Sequence, residues 1–189
     1  MKDKRTIALL SIVLTVSLAA NIILVRRYTD MSKQQNMAWS NSAAYFEVVA
    51  NWARLDVKVF TEDVPISPLW FDSLQTNLRM VERQLESLSV LPYSGDIYNQ
   101  QKMKIQLFVS YQKSVAAQMA EEFAADGEIS EESMKRSEVI NDAWYGMLST
   151  LAEHRNSVNP YSPIFQRRAW RGMWDSIGAV LDGLELIPL

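Results

Sequence analysis

The chain has no cysteine, a single histidine, and only six glycines and six prolines among its 189 residues. Without cysteine there is no disulfide framework, thiolate zinc site, iron–sulfur cluster, lipid-bearing cysteine or thiol nucleophile. The scarcity of glycine and proline excludes collagen-like and linker-rich chains. Apolar residues at 48% against 22% charged exclude a disordered one. A packed core is therefore expected, and the length suits one domain plus an appendage.

Chemistry-bearing motifs are equally scarce. No His-Glu-x-x-His, Walker glycine loop, dinucleotide fingerprint or Gly-x-Ser-x-Gly elbow occurs. Carboxylate-bridged metal sites in bundles use Glu-x-x-His, whereas His154 follows Glu153 directly. Its setting, Glu-His-Arg-Asn at the end of a helical stretch, suits a cation meeting C-terminal carbonyls. Acidic pairs for glycoside cleavage can be assembled from any acidic protein, so their presence carries no information. No catalytic residue, metal or cofactor is expected.

What the chain does have is a long hydrophobic run. Thr6 to Val25, TIALLSIVLTVSLAANIILV, is free of charge, and at about 1.5 Å per residue such a run crosses about 30 Å of hydrocarbon. Lys2, Lys4 and Arg5 precede it, and Arg26 and Arg27 follow it, so both ends carry cations that reach headgroups. Ser17-Leu18-Ala19 has the small residues of a signal-peptidase site, but the apolar run continues beyond it, so an uncleaved signal anchor is expected. The flanking cations are balanced and leave orientation open. A short N-terminus, residues 1–5, kept in the cytoplasm would place residues 28–189 outside, the side with which a cysteine-free domain agrees. Within the anchor, Ser11, Thr15 and Ala19 recur at every fourth position, a small-residue stripe suited to self-association as a homodimer. Alternatively, the hydroxyls bond back to their own helix.

Beyond the anchor the prolines mark joints rather than interrupting periodic stretches. From about Asp30 to Thr61, Met37, Ala44, Tyr45, Val48, Val49, Trp52, Leu55 and Val59 recur at helical spacing and predict an inward stripe that can continue directly from the anchor. Ser67-Pro68 reads as an N-cap followed by proline at the first helical position, ahead of Leu74, Leu78, Val81, Leu85 and Leu88. After a turn with a cap at Ser94-Gly95-Asp96, the next stripe is Met103, Leu107, Phe108, Tyr111, Val115, Met119 and Phe123, ended by Asp126-Gly127. Ser130 caps a helix with Ile129 and Met134 as its hydrophobic staple, and Ile140, Ala143, Trp144, Met147, Leu148 and Leu151 facing inward. Ser162-Pro163 is expected to begin the last helix, with Ala169, Met173, Ile177, Val180, Leu181 and Leu184 inward. No hairpin signature interrupts this pattern. The expected fold is all-α: one N-terminal transmembrane helix, residues 6–25, followed by an antiparallel bundle of four to five helices over residues 28–189. The paired joints at Pro65-Ile66-Ser67-Pro68 and Pro160-Tyr161-Ser162-Pro163 diverge at once and need no duplication to explain them.

Of the chain's 19 basic and 22 acidic residues, Lys2, Lys4, Arg5, Arg26, Arg27 and Asp3 precede Tyr28, leaving 14 and 21, a net charge of −7 for the domain. Nucleic-acid binders show the reverse sign, so none is expected as a partner. One cluster stands out. In Arg167-Arg168-Ala169-Trp170-Arg171-Gly172-Met173-Trp174, the residues Arg167, Trp170, Arg171 and Trp174 fall within an arc of about 100° on a helix. They form a candidate interaction surface of two guanidinium groups beside two indoles. The competing arrangement puts both indoles at the core edge and pairs Arg171 with Asp175. A third brings the cluster to the membrane interface.

The function these features imply is a bacterial single-pass cell-membrane protein, held in lipid through residues 6–25, with an extracytoplasmic, non-catalytic interaction or regulatory module and a protein partner. A ligand-sensing bundle working through a separate signalling partner is the alternative. An enzyme of unknown reaction ranks third.

Overall fold

A computed structural model of the chain describes residues 2–62 and 65–185, with side chains from Thr6 onward. The side chains of the flanking cations Lys2, Lys4 and Arg5, and the chain end at 186–189, lie outside the described residues. Every regular element among the described residues is a helix: α1 (Lys2–Val59), α2 (Pro68–Ser89), the single-turn α3 (Ser94–Ile97), α4 (Asn99–Asp126), α5 (Glu131–Ser157) and α6 (Arg167–Asp182). The all-helical class with an N-terminal apolar helix and a helical bundle is therefore what forms.

α1 is one unbroken helix of 58 residues. Its first part is long and apolar enough to cross a membrane, and none of it is buried against the rest of the chain. Its second part is a wall of the bundle. The contacts fix the direction of each neighbour. Along α2, Asn77 donates to Asp56 while Gln84 donates to the Ser42 carbonyl, so α2 runs antiparallel to α1. Arg54 lies over the ring of Tyr145 and Arg155 pairs with Glu47, so α5 also runs against α1. Lys113 meets Glu82 and Lys102 meets Glu86, which reverses α4 relative to α2. Trp170 packs on Trp39 and Trp174 on Phe46, so α6 runs along α1. The connections 90–98 and 158–166 consequently lie at the end from which the apolar segment projects.

Local chemistry starts α2 and α5 and ends α4 where the sequence indicates, whereas Ser94-Gly95-Asp96 forms the single-turn α3 and α4 starts at Asn99, neither with a side-chain cap. Ser67 caps α2 by accepting from Leu69 N at 3.4 Å, and Ser130 caps α5 by accepting from Ser133 N at 3.2 Å. Gly127, at φ 74°, ends α4 in the left-handed conformation that glycine adopts without a Cβ clash. The last helix also departs from the expectation, beginning at Arg167 rather than at Ser162-Pro163. The Ser162 hydroxyl oxygen accepts from Ile164 N at 3.2 Å, closing a local turn instead of capping a helix.

The core corrects two stripes. On α2 all five predicted residues are buried, as are Ile140, Ala143, Trp144, Met147 and Leu151 on α5. On α1 only Val49 of the expected set is fully buried, whereas Met37, Tyr45, Val48, Trp52 and Leu55 are exposed. The residues that face the core beside it are Trp39, Ala43, Phe46, Ala50, Ala53 and Val57, followed by Phe60 just past the helix end. Both sets keep helical spacing, and the small alanines of the inward set let α2 and α5 approach closely. Likewise on α4, Met103 and Leu107 are exposed, and Ile105 and Val109 are buried in their place.

Candidate interaction surfaces

The start of α6 is organised from α1. Asn36, fully buried, donates Nδ2 to the carbonyls of Ser162 at 3.3 Å and Ile164 at 2.9 Å. Its Oδ1 accepts from Gln166 N at 3.1 Å and from Trp170 Nε1 at 3.2 Å. One amide thus serves a connection and an indole at once, which satisfies buried polar groups that would otherwise be costly. On the same side, Trp39 donates Nε1 to the Pro92 carbonyl at 3.0 Å, holding the other connection. Asn36 ends the polar run Ser32-Lys33-Gln34-Gln35-Asn36, so nothing in the sequence singled the residue out.

Trp170 and Trp174 are fully buried. Trp170 stacks on Trp39 with centroids 6.2 Å apart, and Trp174 meets Phe46 at 5.5 Å and Tyr98 at 4.9 Å in T-shaped contacts. The candidate surface of Arg167, Trp170, Arg171 and Trp174 is corrected in this respect: its indoles belong to the core, because the inward arc of α6 is centred on Trp170, Met173, Trp174 and Ile177. The two arginines stay at the rim. Arg167 pairs with Asp96 and sits over the Tyr93 ring, and the Arg171 Nε lies 3.7 Å from Asp175. Asp175 also accepts from Gln101 Nε2 at 2.9 Å. Exposed pairs of this kind contribute little to stability. Nearby, burial pushes the Tyr98 phenol far above its ordinary range, and the charge of Glu86 adds to the effect.

The second surface is the outward side of α1. Met31, Tyr45, Val48, Trp52 and Leu55 are between two-fifths and half exposed and follow one side of the helix. Beside them, between α1 and α5, lies a groove of about 380 Å³ bounded by Ala44, Glu47, Val48, Asn51, Leu148 and Arg155. Ala44, Val48 and Leu148 give it aliphatic walls, Asn51 adds an amide, and the Glu47–Arg155 ion pair also lines it. On the other flank Asp56 accepts from Ser73 and Asn77. Partial burial raises its pKa against the opposing pull of those two donors.

In the apolar segment, Ser11, Thr15 and Ala19 are all exposed. The Thr15 hydroxyl donates to the Ser11 carbonyl at 2.8 Å, so this hydroxyl closes on its own helix. His154 lies with Arg155 in the last turn of α5. Among the described residues no group of three or more His, Cys, Asp or Glu is placed to hold a metal ion. Comparison with protein-family models, curated proteins and solved structures finds no match to this chain.

Proposed function

We propose that the protein is a single-pass membrane protein whose bundle acts as a non-catalytic interaction or regulatory module at the bilayer surface, in a bacterial cell and outside the cytoplasm. The observation that carries this reading is the continuity of α1. The helix that is apolar on every side over Thr6 to Val25 becomes, with no break, a structural wall of the bundle while leaving an apolar outward face. An unbroken helix holds the module at a set height above the lipid, and exposed apolar faces of this kind mark contact surfaces.

A reporter fused after Leu189 tests the topology: activity confined to the outer side is expected, and activity confined to the cytoplasm overturns the orientation. Photo-crosslinking from position 48 or 52 of the full chain in native membranes tests the module. A protein adduct absent when the photo-probe sits at exposed Arg83 supports it, and equal labelling from both faces overturns it.

The groove between α1 and α5 supports a second reading, a ligand-sensing bundle. A metabolite that raises the melting temperature of the full chain in detergent, and loses that effect in Glu47→Gln, would favour sensing, because a ligand bound only by the folded state stabilises it.

A further inference from the structure

We infer that the outward face of α1 is the seam of a parallel, twofold dimer with a second copy of this chain, running from the membrane into the bundle. The inference rests on the proposed membrane insertion and adds the partner and the register.

The exposed side of α1 follows a repeat of seven. Met31, Tyr45 and Trp52 stand at multiples of seven from one another, and Val48 and Leu55 hold the complementary position, the three–four spacing of a coiled-coil seam. The core-facing residues Trp39, Ala43, Phe46, Ala50, Ala53 and Val57 keep the same spacing on the opposite side of the helix. α1 therefore carries two seams, one filled by the bundle and one open.

The open seam has the properties that self-pairing requires. Its positions from Met31 to Leu55 include no charged residue, although 22% of the whole chain is charged and the domain is acidic. Facing copies meet like with like across a twofold axis, so any charge there would meet its own sign. Its polar members, Gln34 and Asn41, are amides, which both donate and accept and can therefore bond to their own counterparts. Such a residue at a seam position favours register over raw stability.

The membrane supplies the orientation. Copies inserted in the same sense present this face at the same height and in the same direction, which is what a parallel pair needs. Followed backwards, the repeat passes through Leu24, Ala20, Ser17, Val13 and Leu10, so small residues at 17 and 20 bring the helices together inside the lipid. This register places Ser11, Thr15 and Ala19 away from the contact. Arg27, the one charged residue it meets, falls beside the headgroups, where a long side chain turns outward to phosphate.

The absence of native cysteine makes the test direct. Single cysteines are placed in the full chain in membranes, and disulfide formation is read after mild oxidation. Tyr45→Cys, Val48→Cys, Trp52→Cys and Leu55→Cys should form dimers about fivefold or more above Ala44→Cys, Glu47→Cys and Asn51→Cys, since bridging requires Cα atoms within about 7 Å. Adding Val48→Glu to the Leu55→Cys chain should abolish its dimer. Co-expression of Val48→Glu and Val48→Lys versions of that chain should restore it, because position 48 faces itself. Flat cross-linking along α1, or no rescue by the opposite charge in chains that remain helical and membrane-bound, overturns self-pairing and leaves the membrane module standing. A chain released from membranes by alkaline carbonate overturns both.

Discussion

The two ends of α1 are one helix, yet their apolar residues answer to different rules. Over Thr6 to Val25 every side is apolar and every side is exposed, because the surroundings that suit these residues are not part of the chain. Over residues 31–60 the apolar residues divide between two faces, one packed against α2, α5 and α6 and one open. Hydrophobic periodicity reports that a residue avoids water; it does not report what shields it. The same residue type on opposite sides of α1, Trp39 fully buried and Trp52 at 43% exposure, puts that difference in its simplest form.

The sharpest break of this comparison is to truncate both. Trp39→Ala removes a ring stacked on Trp170 and a hydrogen bond to Pro92, and should destabilise the fold by about 3–5 kcal/mol. Trp52→Ala, in detergent at a dilution that keeps chains apart, should cost under about 1 kcal/mol. Equal losses in urea melts of the two variants would show that the faces have been assigned wrongly.

Asn36→Ala tests how far the inward face of α1 organises the other end of the chain. It leaves the Ser162 and Ile164 carbonyls and the Trp170 indole without their partner, and a loss of about 1–3 kcal/mol is expected. Hydrogen exchange should rise first in residues 158–170. Exchange that rises instead throughout α2 would show that the connection is held by other contacts.

At the far end of the bundle, Glu122 accepts from the Ser130 backbone N–H and from the side chains of Ser133 and Gln118. Partial burial alone would raise its pKa, but these bonds together outweigh burial and hold it below the ordinary 4.5. The folded state therefore binds this proton more weakly than the unfolded chain does. Its contribution is present at neutral pH and is withdrawn as the pH falls below about 4.5 and through the lower folded value. Asp56 has the opposite sign: its pKa is raised above 3.8, so ionising it works against folding as the pH rises past that value. Glu122→Gln should flatten the acid limb of a stability-against-pH curve, and a limb unchanged by the substitution would assign acid sensitivity elsewhere.

The smallest effect is expected at the rim of α6. Replacing Arg167 and Arg171 with Gln removes two exposed ion pairs, to Asp96 and Asp175, and should move stability by no more than about 0.5 kcal/mol. A clearly lower melting temperature would mean that the arginine stems shield the indoles beneath them.

Much of the fold was legible because its signals are local. Ser67-Pro68, Ser130 and Asp126-Gly127 mark helix ends through hydrogen bonds and backbone conformations that involve only near neighbours in sequence. The α2 stripe was legible because its four leucines and one valine occupy one arc and the opposite arc is mostly polar. The α1 stripe was not, because apolar residues lie on both sides, and the alanines that pack deepest look weaker than the tryptophan and tyrosine that stay outside. The Arg/Trp cluster was placed on one helix, and of the two depths weighed for its indoles the one at the core is what forms. Spacing brings Arg167, Trp170, Arg171 and Trp174 to one side, but Trp39 and Phe46, distant in sequence, decide that the indoles turn inward.

The sequence by itself determined an all-helical chain, a segment apolar enough to cross a lipid bilayer, and most of the joints, since each depends on residues within a few positions of one another. Only the tertiary structure decided which side of α1 is core, that Asn36 anchors the start of α6, and that the tryptophans of α6 are interior while its arginines remain at the rim. Those outcomes depend on which helices meet, and burial is a property of the pair of surfaces in contact rather than of either one alone.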